Sequence, residues 1–154
     1  MITYREDKVI DARELFVLFQ SVGWIRTSAE RPPVEETGDA VANHTYYLEY
    51  SEDNDLLTSA FLHSTYVRSA WDKTRLVGII RVISDTIQRS VFYDFIVHSE
   101  YQGRGIGKTL MTDCLNRYRH TQITLGTTSK NFRFYEEFGF RRSHNYLEIF
   151  SKAF

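Results

Sequence analysis

Apolar positions along this chain change their period several times, and each change marks an element. Ile2 to Arg5 alternates as a short strand does. Asp11 has the side chain of an N-cap, and Leu15, Phe19 and Val22 then recur at helical spacing until Gly23 stops the helix. Pro32-Pro33 forbids regular structure and Gly38-Asp39 marks a further loop. A strand is expected over residues 45–50. A second helix is expected from about 54 to 70, where Leu57, Phe61, Ser64 and Arg68 fall three or four apart.

The second half is more regular. The β-branched run from Leu76 to Ile83 predicts a largely buried strand, and the polar stretch 84–90 turns it back into Val91-Phe92-Tyr93-Asp94-Phe95-Ile96-Val97, an antiparallel partner. Ile106, Leu110, Met111, Cys114, Leu115 and Tyr118 form one helical stripe. Gln122 to Leu125 reads as a short strand, residues 131–138 as a short helix closed by Gly139, and 142–150 as a last strand. The expected fold is α/β (α+β), a mixed and mainly antiparallel sheet with helices on both faces.

Composition narrows the picture. With 154 residues, 42% hydrophobic, the chain suits one folded domain, 1–154. A formal net charge of −1 gives no global pull towards nucleic acid or a membrane. The single cysteine, Cys114, excludes an internal disulfide and a cysteine-rich metal site, so no metal is expected and a reducing cytoplasm fits. Residues 1–7 lack the basic and apolar regions of a leader, and no stretch has the length of a membrane span.

Candidate chemistry centres on Gln102-Gly103-Arg104-Gly105-Ile106-Gly107, between a strand-like and a helix-like run. Strand, glycine turn and helix N-terminus together make an anion site, most often for phosphate. Gly107-Lys108-Thr109 has the ending of a mononucleotide loop, but Gln102 stands where its first glycine belongs. The dinucleotide fingerprint fails on spacing. A plain connecting turn needs one glycine, not three beside Arg104 and Lys108.

The Gln-x-x-Gly-x-Gly spacing resembles the pyrophosphate loop of the GNAT superfamily of acyl-CoA-dependent N-acetyltransferases. The likeness extends to Asp94-Phe95-Ile96-Val97-His98, to Leu76-Val77-Gly78, and to Phe134-Tyr135-Glu136-Glu137-Phe138-Gly139-Phe140, which is similar to the family's FYxxxGF signature. It spans about residues 75–140, the expected acetyl-CoA-binding core, with 1–74 mainly on the acceptor side.

The resemblance implies that backbone N–H groups of 103–108 (Gly103, Arg104, Gly105, Ile106, Gly107, Lys108) hold the pyrophosphate of acetyl-CoA. The backbone of Phe95, Ile96 and Val97 would pair with the pantetheine arm. An N–H near Ile96 or Val97 would stabilise the developing oxyanion. Gln102, Thr128, Asn131 and Phe134 complete the implied cofactor contacts. Thr128 stands where the family often has an asparagine, with Asn131 a turn closer to Tyr135. Tyr135 takes the place of the family's general acid. For the base, His98 and Asp94 are the candidates, predicted by alternation to share a face opposite Tyr93, Phe95 and Val97; deprotonation through water is the alternative.

Residues 30–55 hold eight Asp/Glu against one Arg, with Trp24, Tyr46, Tyr47 and Tyr50 in or beside them. An acidic, aromatic mouth suits a small cationic amine, so Trp24, Tyr46 and Tyr93 are the expected acceptor-site residues; a solvated acidic loop is the plainer reading. The expected reaction is acetyl transfer from acetyl-CoA to a small-molecule primary amine in a ternary complex. A non-catalytic acyl-CoA-binding module and an acetyltransferase acting on protein or peptide amines are the alternatives. Phe150 and Phe154 are compatible with a homodimer through the C-terminal strands.

Overall fold

The computed structural model describes residues 1–25 and 55–143. In chain order these form β1 (Ile2–Arg5), α1 (Ala12–Ser21), α2 (Asp55–Leu62), β2 (Tyr66–Asp72), β3 (Arg75–Ser84), β4 (Arg89–Val97), α3 (Ile106–Tyr118), β5 (Gln122–Leu125) and α4 (Phe132–Glu136). The strands make one sheet ordered β1-β2-β3-β4-β5. Its first three pairings are antiparallel and the last, β4 with β5, is parallel.

Local chemistry accounts for the boundaries. The Asp11 carboxylate accepts from the N–H of Arg13 at 2.9 Å and of Glu14 at 3.4 Å, capping α1. Gly139 has φ +88°, and its N–H donates to the Glu136 carbonyl at 3.0 Å as the chain leaves α4. Helix α4 is shorter than expected: residue 131 closes a 3-10 turn before it, and the helix ends at Glu136, two residues early.

The helix expected over 54–70 is corrected. It stops at Leu62, where the Ser64 hydroxyl bonds back to the Ala60 carbonyl at 2.7 Å. The N–H of Thr65 then joins the Val82 carbonyl at 2.9 Å, and the aromatic and β-branched residues from Tyr66 onward pair with both β1 and β3. The helical spacing was coincidental: Phe61 and Arg68 serve opposite faces of the sheet. Phe61 packs with α1, whereas the Arg68 guanidinium bonds Asp113 on α3 at 2.7 Å. The strand expected over 45–50 lies outside the described residues. Of the last expected strand, Arg142 and Ser143 are in no strand and the rest lies outside.

Each face carries its own core. Leu15, Leu18 and Phe19 of α1 join Leu57 and Phe61 of α2 over Val67, Trp71, Leu76, Ile79 and Ile96. On the other face Ile106, Leu110, Met111 and Cys114 of α3 cover Ala70, Ile80, Val82 and Phe92. Two bulges interrupt the alternation. One puts an extra β3 residue between the pairs Ala70–Gly78 and Trp71–Leu76. The other puts an extra β4 residue between Arg81–Tyr93 and Ile79–Ile96.

The β3 bulge coincides with a close approach. A β-carbon on Gly78 would lie 3.1 Å from both Ile106 Cγ2 and Leu110 Cδ1. Gly78→Val should therefore cost about 1–3 kcal/mol through overpacking, read as a lower urea midpoint at unchanged slope; an unshifted midpoint would contradict this packing.

Candidate active site

The glycine loop is assembled from the end of β4. After Val97, His98 leads a 3-10 turn over Ser99–Tyr101, and Gly105 (φ +81°) opens α3 as its N-cap. Gly103 has φ +75°. A β-carbon on either would meet nothing within 4 Å, so these glycines answer the left-handed backbone and leave open space before the helix. Gly105 offers no side-chain cap, so among the described residues the first N–H groups of α3 have no side-chain acceptor. Gly107 has a different reason. Its β-carbon would lie 3.3 Å from Phe95 Cζ and 3.5 Å from Val97 Cγ2, so it lets the first turn of α3 rest on β4.

The loop is braced by its own side chains. Gln102 Nε2 donates to the Val97 carbonyl at 3.0 Å, and Arg104 donates to the Glu100 carbonyl at 2.8 Å with its guanidinium 4.8 Å from the Tyr101 ring centroid. The Tyr101 hydroxyl donates to Asp72 at 2.9 Å. Lys108 pairs with Glu137 at 3.5 Å on the surface. Ile106 is buried, so only its backbone faces the loop.

Beside the loop, β4 loses one neighbour. Its parallel ladder with β5 runs from Arg89–Gln122 to Phe92–Leu125 and stops. The N–H of His98 points to β3, donating to the Val77 carbonyl at 2.9 Å. Alternation therefore turns the polar groups of Ile96 to β3 and those of Phe95 and Val97 to the open side. Against that side stand Phe134, stacked on Phe95 with centroids 5.6 Å apart, and Tyr135, edge-on to Phe95 at 6.2 Å. Tyr135 is 8% exposed, and burial pushes its phenol up to about 12, opposed by a hydrogen bond with Thr127. Asn131 donates to that same Thr127 hydroxyl at 3.3 Å, and Thr128 opens the 3-10 turn before α4.

The β4 bulge corrects the expected facing. Tyr93 does not oppose Asp94; both meet Arg81, which pairs with the Asp94 carboxylate and lies 5.0 Å from the Tyr93 ring centroid. The extra residue is what removes the alternation. His98 is buried with both ring nitrogens engaged: Nδ1 lies 3.2 Å from the Glu100 N–H donor and Nε2 2.8 Å from the Arg75 guanidinium. Trp24 packs edge-on against Phe19 at 5.8 Å, beside the core under α1, and Tyr46 lies outside the described residues. Sequence reasoning passed over Thr127 and Arg81. Arg81 was visible as the lone charge inside the apolar run of β3, whereas nothing in the sequence marked Thr127.

The family model described as an acetyltransferase (GNAT) domain matches residues 35–148. The chain belongs to the GNAT acetyltransferase family. An uncharacterized N-acetyltransferase ycf52 from Gracilaria tenuistipitata var. liui is 27% identical over 134 residues, 85% of this chain and 62% of that protein. The chain thus spans about three fifths of that relative's length. A histone acetyltransferase TAP1 from Glycine max is 28% identical over 85% of this chain and 52% of its own. A GNAT-family acetyltransferase from Streptococcus pneumoniae superposes with a TM-score of 0.69 at 26% identity, covering 99% of this chain and 98% of its own. The PaiA N-acetyltransferase from Thermoplasma acidophilum, solved in complex with coenzyme A, shares the fold with a TM-score of 0.62 at 19% identity, over 92% and 90% of the two chains. Among its described residues this member of the family has no helix long and apolar enough to cross a membrane.

The His98 environment gives a pH dependence. Burial, then the Arg75 guanidinium, holds its imidazole below the ordinary value, with Glu100 pulling partly the other way. The native state keeps His98 neutral while the unfolded chain takes up a proton near pH 6.5, so this stability is complete above that pH and is lost as pH falls below it. Urea unfolding at pH 7.5 and 5.5 should show a larger loss for the wild type than for His98→Asn; equal losses would contradict the assignment.

Proposed function

We propose that this acetyltransferase moves the acetyl group of acetyl-CoA to a primary amine of a small molecule, by direct attack in a ternary complex. One observation carries the reading: among the described residues β4 has no partner beyond Phe92 on the β5 side, where the strand leads into the uncapped glycine loop and Phe95 touches the Tyr135 ring. The fit to acetyl-CoA is chemical. An anion suits the free N–H groups and dipole at the start of α3, and an amide chain suits the outward backbone groups of Phe95 and Val97.

The bound thioester would supply an activated acyl group and a thiolate leaving group. Residues 103–108 would hold the pyrophosphate through backbone N–H groups, with Gln102, Arg104 and the Asn131–Thr127 contact shaping the walls. Of the two amides expected to receive the developing oxyanion, alternation favours Val97, since Ile96 faces β3. The Tyr135 phenol stays protonated across the working range because its pKa is pushed up to about 12. An ordinary thiol ionises at about 8.5, so the phenol acts on the leaving sulfur first as a hydrogen-bond donor. For the amine, removal of its proton through water is favoured over a dedicated base. Both ring nitrogens of His98 have partners, and Asp94 is buried against Arg81.

An amine on a protein is the second reading, favoured by the likeness to the soybean protein named as a histone acetyltransferase. The acidic run of residues 30–55 supports a cationic acceptor under either reading. A thiol-release screen with acetyl-CoA, against a small-amine panel and basic peptides, tests both. Tyr135→Phe should lower the rate with the best acceptor by about a hundredfold or more while CoA affinity holds; an unchanged rate would overturn the acid role.

A further inference from the structure

Two local costs converge on one residue of β4. Asp94 sits at φ +47°, a left-handed conformation that glycine or asparagine would take more easily. Its side chain is buried, and among the described residues no group donates to its Oδ1. Glycine would relieve the backbone, and an apolar side chain would leave no orphaned oxygen. What aspartate adds, and neither of those could, is a charge for Arg81, which donates through Nε to the other carboxylate oxygen.

Arg81 is placed to use that charge. It flanks the β4 bulge on the neighbouring strand, paired in register with Tyr93, so its bond to Asp94 reaches into the bulge. Its NH1 also lies 3.5 Å from the Ser64 hydroxyl, and its guanidinium 5.7 Å from the Phe61 ring centroid of α2. The ion pair thus ties the bulge to the end of α2 on one face of the sheet. On the other face the bulge's consequence appears at once. Phe92 points towards α3, and so does Phe95, three residues on, where it stacks on Phe134 and meets Tyr135. Without the extra residue, Phe95 would turn to the α2 face.

The geometry points to Arg81 and Asp94 as a positioning pair that locks the β4 bulge, thereby aiming the backbone of Phe95–Val97 and the ring of Phe95 at the acetyl-CoA cleft. Neither residue is assigned contact with the reacting atoms. The inference rests on the CoA reading above, but it can fail independently.

The test is CoA affinity by calorimetry on the full chain, with thermal midpoints measured alongside. Wild-type binding is the control: without it, the CoA reading falls before the lock is tested. Asp94→Asn keeps the tolerance for left-handed backbone and removes the charge, Asp94→Gly keeps only the tolerance, and Arg81→Met removes the cation. Each should weaken CoA about tenfold, and Asp94→Asn with Arg81→Met no more than either alone, because they break one interaction. Arg81→Lys should recover most of the affinity lost in Arg81→Met, which a loss of packing alone would not produce. Wild-type affinity in Asp94→Gly would overturn the lock, showing that backbone freedom suffices, as would additive losses in the double variant. Should Arg81→Met fail to fold, Asp94→Asn decides alone: wild-type affinity there overturns the proposal and a tenfold loss supports it.

Discussion

Strand β4 is paired with β3 almost from end to end, but with β5 for only four residues. Among the described residues nothing else pairs with β4 beyond Phe92 on that side. A strand edge left open exposes a row of N–H and C=O groups that must find partners. Here one carbonyl, that of Val97, is taken by Gln102, and the glycine loop starts five residues later. The remaining outward groups lie beside an aromatic wall of Phe95, Phe134 and Tyr135. Under the proposed reading, an extended amide ligand would answer the edge and a phosphate the loop at its end. Both demands arise from one break in one ladder.

The opening is held in advance of any ligand. Helix α3 is fastened by its buried stripe and by the Arg68–Asp113 pair, so its uncapped N-terminus cannot drift from the sheet. Gly107 lets that helix touch Phe95 and Val97, which fixes the distance between loop and strand. Bracing of this kind lowers the ordering cost at binding and, under the proposed reading, would keep the oxyanion donor in place before charge develops. The burial that raises the Tyr135 phenol belongs to the same economy of position, since a ring packed among Phe95, Phe134 and Phe140 has little freedom to turn away.

Elements with a long and unbroken period were legible in the chain. Residues 106–118 showed their stripe because five buried positions recur on one face, and 76–83 read as a strand through β-branched content. The glycine turn between strand and helix was legible through its spacing. The stretch 54–70 was not, since Leu57, Phe61, Ser64 and Arg68 mimic a helical face while the backbone changes from helix to strand between Phe61 and Tyr66. The bulge was equally hidden. Alternation assumes one register, and an inserted residue leaves no mark in composition, so Tyr93 was assigned the wrong face. Arg81 was readable as an anomaly, but its partner became visible only once two strands were aligned.

Under the proposed reading, the open edge of β4 and the loop at its end together form the acetyl-CoA site. Hydrogen–deuterium exchange of the full chain, with and without CoA, tests it most directly. Slowed exchange confined to the amides of Phe95, Val97 and residues 103–108, with β1 and β2 unchanged, is the predicted result. Saturable CoA binding that leaves those amides exchanging at their free rates would contradict the account.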